Sequence, residues 1–120
     1  MSEPSSLMKT IVESGSNDNG SYVKFSNGWM ICTLQIAVTD QAINRAYGSL
    51  YWGSRVWNFP VAFVGKPSVA CGMFKWGTGV SWGNIIEVTN TYATLAGIDI
   101  LSRETGTNVN IQATAIGKWK

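Results

Sequence analysis

Apolar and polar residues alternate along much of this chain with the two-residue period of strands. Residues 21–26 (SYVKFS) alternate, Asn27-Gly28 follows, and residues 29–37 (WMICTLQIA) resume the pattern. An Asn-Gly pair between two such runs predicts a type I′ hairpin, whose two turn residues both take positive φ. In residues 108–119 (NVNIQATAIGKW), Val109, Ile111, Ala113 and Ala115 fall on one face and Asn108, Asn110, Gln112 and Thr114 on the other. That is the mark of a half-buried antiparallel strand. Further strands are predicted over 56–64, where Pro60 favours an edge or a bulge, and over 68–76, 85–90 and 94–102. Residues 65–67 and 103–107 read as turns, 15–20 as a loop, and 77–83 (GTGVSWG) as a glycine-rich loop carrying Trp82. Residues 39–51 (TDQAINRAYGSLY) break the pattern. Thr39 or Asp40 can cap a short helix with Ala42, Ile43 and Ala46 on one face, or the segment is a loop excursion. Residues 1–14 read as a flexible lead-in, in which Leu7, Met8, Ile11 and Val12 fit helix and strand spacing alike.

About seven strands with glycine-rich turns predict one all-β domain over residues 15–120, an antiparallel β-sandwich or small barrel. Composition agrees. The 120 residues are 45% hydrophobic but only 13% charged, with 13 glycines, six Trp, four Tyr and four Phe, against about a quarter charged in an average domain. Such a surface must be covered by Ser, Thr, Asn, Gln and aromatic groups, which suits carbohydrate or another protein. The net charge of +2 comes from nine Lys and Arg spread along the sequence. No basic stripe is visible, so a nucleic-acid partner is not expected. Nor is membrane insertion, because no apolar stretch is long enough to span a bilayer. The N-terminus lacks the features of a secretory signal.

Candidate chemistry is mostly removed by what the sequence lacks. Without histidine, Ser-His-Asp and Cys-His catalysis and His-ligated metal sites fall away together. Cys32 and Cys71 lie inside apolar runs and read as two buried thiols rather than a disulfide. The cluster Asn17-Asp18-Asn19-Gly20 has one carboxylate and no distal glutamate, so it reads as a polar turn rather than a calcium loop. Asn19-Gly20-Ser21 matches the glycosylation sequon but has no export route. The 77–83 loop lacks the Lys-Ser/Thr ending and the helix of a phosphate loop. Glu87 and Asp99 are the two carboxylates well inside predicted strands, and nothing in the sequence makes them face each other as a glycosidase pair must. No cofactor, no metal and no enzymatic activity are expected. The aromatic residues remain. Tyr47, Tyr51, Trp52 and Trp57 cluster with Arg45 and Arg55, and Trp76 and Trp82 flank the glycine-rich loop. Flat rings offer a surface for sugar CH groups, with Arg and Asn hydrogen-bonding at the rim, and they also anchor protein interfaces. Arg45, Tyr47, Tyr51, Trp52, Arg55, Trp82 and Asn84 are the predicted ligand-binding residues, carried on loops.

Three stretches carry a resemblance. NGSYVKFSNGWMIC (Asn19–Cys32) resembles an opening found in receptor-binding tips of tailed-bacteriophage tail fibres and tailspikes, and ATAIGKWK (Ala113–Lys120) their A-I-G-K-W ending. Between them, WNFPVAFVGKPSVACG (Trp57–Gly72) is similar to a proline-punctuated segment of the same proteins. This chain departs from the pattern with Trp29 after the Asn-Gly turn and with a long link over 38–52. The resemblance implies a β-sandwich knob, a homotrimer on a parent fibre or spike, that binds a bacterial surface polysaccharide or an outer-membrane receptor. It places the protein in the virion, assembled in the host cytoplasm, as a fragment or a separately translated tip. The alternative it offers is a trimerisation or folding module at the C-terminus of a tailspike.

Overall fold

The computed structural model describes residues 10–75 and 81–120. Among them run nine strands: β1 (Ile11–Asn17), β2 (Gly20–Phe25), β3 (Trp29–Val38), β4 (Arg45–Tyr47), β5 (Leu50–Asn58), β6 (Ser68–Lys75), β7 (Ser81–Val88), β8 (Tyr92–Asp99) and β9 (Val109–Lys118). They form two antiparallel sheets, one ordered β1-β2-β3-β9-β6 and the other β4-β5-β8-β7. The all-β sandwich read from the alternation is therefore what folds.

The core lies between the layers. Met30, Cys32 and Leu34 of β3, Met73 of β6, and Val109, Ile111, Ala113 and Ala115 of β9 face Trp57, Ala93 and Leu95 of the smaller sheet. Each large aliphatic side chain buried there contributes about 1.5–3 kcal/mol. After Asn58 the chain leaves the sheet at Phe59 and Pro60, as a residue without a backbone N–H requires. Phe59 and Phe63 then close one end, stacking edge-on in series with Trp57 at 5.0 and 5.1 Å between centroids.

A row of glycines sets the spacing of the layers. Gly53 (β5), Gly97 (β8) and Gly83 (β7) are direct cross-strand partners, and all three point inward. A Cβ on Gly53 would strike the Ala42 carbonyl, one on Gly83 the Cys71 carbonyl, and one on Gly97 would lie 2.9 Å from Met73 Cγ. At Gly53 and Gly83 main chain meets main chain, which only glycine allows.

Several local expectations change. The expected boundary between lead-in and domain falls inside β1, because Ile11–Asn17 pairs with β2. The expected loop over 15–20 shrinks to a turn at Asp18-Asn19. Asn17 Oδ1 accepts the Asn19 N–H at 2.8 Å, and Trp57 Nε1 donates to Asn19 O at 2.7 Å. The hairpin at Asn27-Gly28 is present, but only Gly28 has positive φ (96°), and the Gly28 N–H bonds Phe25 O at 3.0 Å. This is a turn over Ser26-Asn27 with glycine in the following bulge position, not type I′. No helix forms over 39–51. Ile43 exchanges two backbone hydrogen bonds with Arg103, and Gln41 is buried with Nε2 donating to Ala42 O and Ser54 O. Of the predicted glycine-rich loop, residues 77–80 lie outside the described residues, as does Trp76, whereas Trp82 and Gly83 belong to β7.

Candidate functional site

Pleating decides which predicted residues meet. Along β8, Ala93, Leu95, Gly97 and Asp99 face the core, so Ala96 and Ile98 face out. Their partners follow: Trp52 pairs with Ile98, which pairs with Trp82, and Ser54 pairs with Ala96, which pairs with Asn84. On the short β4–β5 hairpin, turned by Gly48 at φ 59°, Arg45 lies opposite Trp52 and Tyr47 opposite Leu50. One row thus crosses all four strands as Arg45–Trp52–Ile98–Trp82. The small side chain of Ala96 leaves a depression beside it. The resulting groove, about 440 Å³, is lined by Tyr47, Leu50, Tyr51, Trp52, Asn84, Ile86, Ala96 and Ile98.

The groove is open and aromatic. Tyr47 is 77% exposed and Trp82 45%, unusual for rings that gain so much from burial. The Arg45 guanidinium lies 4.8 Å from the Trp52 ring centroid, so its N–H groups are aimed while the indole shields one face. Asn84 supplies an amide on the opposite wall.

Five of the seven predicted residues (Arg45, Tyr47, Trp52, Trp82 and Asn84) therefore share this face, and Tyr51 borders it. Arg55 does not. It has the inward parity of β5 and pairs with Asp40 Oδ1 at 3.0 Å, beside a separate polar crevice lined by Asp18 and Asn19. The expected carriers were loops, whereas the residues stand on strands, a more rigid support. Leu50, Ile86, Ala96 and Ile98 were missed, although the alternation of β8 points Ala96 and Ile98 away from the core once Leu95 and Gly97 are assigned to it.

The other chemistry resolves locally. Asp99 is fully buried, accepts the Leu101 N–H at 2.9 Å and pairs with Arg103 Nε at 3.0 Å. Glu87 accepts the Tyr92 hydroxyl at 3.2 Å. Register puts Asp99 opposite Ser81 and Glu87 opposite Thr94, five residues apart along β8, or roughly 17 Å. Cys32 and Cys71 are free thiols. Burial pushes Cys32 up to about 11 and raises Cys71 as well, although Cys71 Sγ donates to Asn84 O at 3.1 Å. Among the described residues no group of His, Cys, Asp and Glu is placed to hold a metal ion.

Two antiparallel sheets with this strand order make the chain a β-sandwich. Two solved structures of pyocin fibres share the fold. A C-terminal fragment of the P. aeruginosa R1 pyocin fibre matches with TM-score 0.57 and 21% identity over 88% of this chain and 28% of that one. An N-truncated R1-type pyocin tail fibre matches with TM-score 0.58 and 19% identity over 88% of this chain and 86% of that one. The chain spans little more than a quarter of the first structure, and at these identities the likeness is one of fold. No family model matches the chain, and no curated protein does.

Proposed function

We propose that this domain is the receptor-binding tip of a phage-type tail fibre or tailspike, taking a bacterial surface glycan on the outer face of its four-stranded sheet without turning it over. The observation that carries this reading is the exposed row Arg45–Trp52–Ile98–Trp82 beside the Tyr47–Asn84 groove, on a fold shared with pyocin tail fibres. A sugar ring lays its CH face on Trp82 or Tyr47, while Arg45 and Asn84 donate hydrogen bonds to its hydroxyls. Each aromatic contact is worth about 0.5–1.5 kcal/mol, so one copy binds weakly. Three copies on a fibre raise avidity for a repetitive cell surface by about 10²–10⁴. Non-catalytic action is supported by the separation of Glu87 from Asp99, larger than the 5–9.5 Å or so of glycosidase carboxylates.

A second reading has a specific observation behind it. Val56 and Ile86 are more than half exposed on the same face, so the sheet also suits burial against another copy in a trimerisation module. Glycan-array binding and solution mass of Trp82→Ala separate the two. Binding lost with mass unchanged supports the receptor tip. A wild-type chain that binds no envelope glycan, and whose assembly fails in the variant, supports the trimerisation module. Release of sugar product, abolished by Glu87→Gln, overturns both.

A further inference from the structure

Four of the lysines, drawn from three distant parts of the sequence, come together in space. The Asn27-Gly28 turn, the 65–67 turn and the last residues of β9 meet at one end of the five-stranded sheet, because Trp29 pairs with Lys118 and Ser68 with Ile116. Lys24, Lys66, Lys118 and Lys120 are gathered there. Lys118 Nζ lies 5.3 Å from the Trp29 ring centroid and donates to Asn27 O at 3.4 Å. Lys24 and Lys120 each place an ammonium 5.1 Å from the Trp119 centroid. A pocket of about 180 Å³ opens between Trp29, Lys66, Ser68 and Lys118.

Compensation is incomplete. Glu13 pairs with Lys24 at 3.1 Å, whereas Lys66, Lys118 and Lys120 meet no carboxylate among the described residues. Counting side chains, four ammonium groups at this end stand against one carboxylate, so positive charge is concentrated here. Positive charge concentrated on an otherwise weakly charged surface focuses anions there. The flat indole of Trp29 and the Ser68 hydroxyl suit a sugar ring, and the pocket has room for one such ring.

We propose that this end of the sandwich is a second binding site, which takes an anionic saccharide: a sugar bearing phosphate or carboxylate. The acid group bridges Lys66 and Lys118, and the ring rests on Trp29. The site extends the glycan-binding reading but lies at the opposite end of the strands from the Trp52–Trp82 row and succeeds or fails separately.

The test is an NMR titration of the isotope-labelled full chain with glucose 6-phosphate, glucuronic acid, glucose and inorganic phosphate. Either sugar acid, or both, is expected to shift the Trp29 indole signal where glucose does not, and the two acids show which anion is preferred. Added salt weakens the effect several-fold, as the Debye length falls from about 30 Å at 0.01 M to about 8 Å at 0.15 M. Each exposed ion pair is worth about two- to fivefold, so Lys66→Gln/Lys118→Gln loses about tenfold, with its amide spectrum otherwise intact. The Lys66→Arg/Lys118→Arg variant retains binding, and Trp82→Ala leaves it unchanged. The proposal is overturned if glucose shifts Trp29 as strongly as the acids, if inorganic phosphate alone matches glucose 6-phosphate, or if the double glutamine variant binds like wild type.

Discussion

Gly83→Ala tests how the two layers are held together. The added Cβ would lie 2.7 Å from both Gly72 Cα and the Cys71 carbonyl carbon, where carbon atoms prefer 3.5–4.0 Å. Both neighbours are main chain inside the β6–β9 ladder, so no rotamer change relieves the clash and the sheets must part locally by about 1 Å. A gap of that size forfeits a quarter to a half of each dispersion well across it. Core overpacking costs about 1–3 kcal/mol, and the absence of a flexible neighbour puts this case at or above the upper end. The expected result is a loss of about 3 kcal/mol in urea unfolding with m unchanged, and a fall in Tm of about 10 °C, measured at fixed protein concentration. Gly72→Ala is the control. Its Cβ would meet only Phe74 ring atoms at 3.6 and 3.7 Å, and its effect stays within about 0.5 kcal/mol. A Gly83→Ala domain as stable as wild type would refute the backbone-contact account of the glycine row.

Asp99→Ala strips Arg103 of its partner and the Leu101 N–H of its acceptor, costing about 3–5 kcal/mol; Asp99→Ala/Arg103→Ala is expected to cost less than the sum of the single losses, read by denaturant unfolding. Cys32 holds its proton up to about pH 11 when folded, against 9.0 for a free thiol. The folded state therefore binds more protons between those values, and stability falls as pH rises from 9 to 11, by up to about 3 kcal/mol. Subtracting the curve of Cys32→Ala isolates that loss, and identical curves would exclude it. Trp57→Phe keeps the ring but removes the N–H bound to Asn19 O. It costs about 1–3 kcal/mol and speeds amide exchange in β1 and β2 more than in β9.

Legibility followed the range of the forces involved. The 26–29 hairpin and the inward face of β9 were readable because turn chemistry and pleating act over a few residues. Val109, Ile111, Ala113 and Ala115 are all buried as the alternation required. The 39–51 segment was not readable, since Ile43 is fixed by Arg103 and Gln41 by the Ser54 carbonyl, partners distant in sequence. Glycine was ambiguous in principle. At Gly28 it serves a turn and at Gly83 a close approach of backbones, and the residue looks the same in both. That ambiguity put Trp82 on a loop. Tyr47, Trp52, Trp82 and Asn84 could be named from chemistry, but only strand register shows that they share a face and that Arg55 does not. The gathering of Lys24, Lys66, Lys118 and Lys120 is a product of topology alone.

In the larger sheet β9, the latest of the nine strands to be synthesised, lies between β3 and β6 and joins them. Until residues 109–118 leave the ribosome, β3 and β6 lack the strand that joins them, and Val109, Ile111, Ala113 and Ala115 are missing from the core. Completion of the fold therefore waits on residues 109–118, through pairings of high sequence separation that close slowly. Damage is correspondingly unequal. Trimming β1 removes an edge, whereas a stop codon before residue 109 removes the ladder to which two other strands are bonded. Any element fused behind Lys118 also hangs directly from the strand that joins β3 to β6.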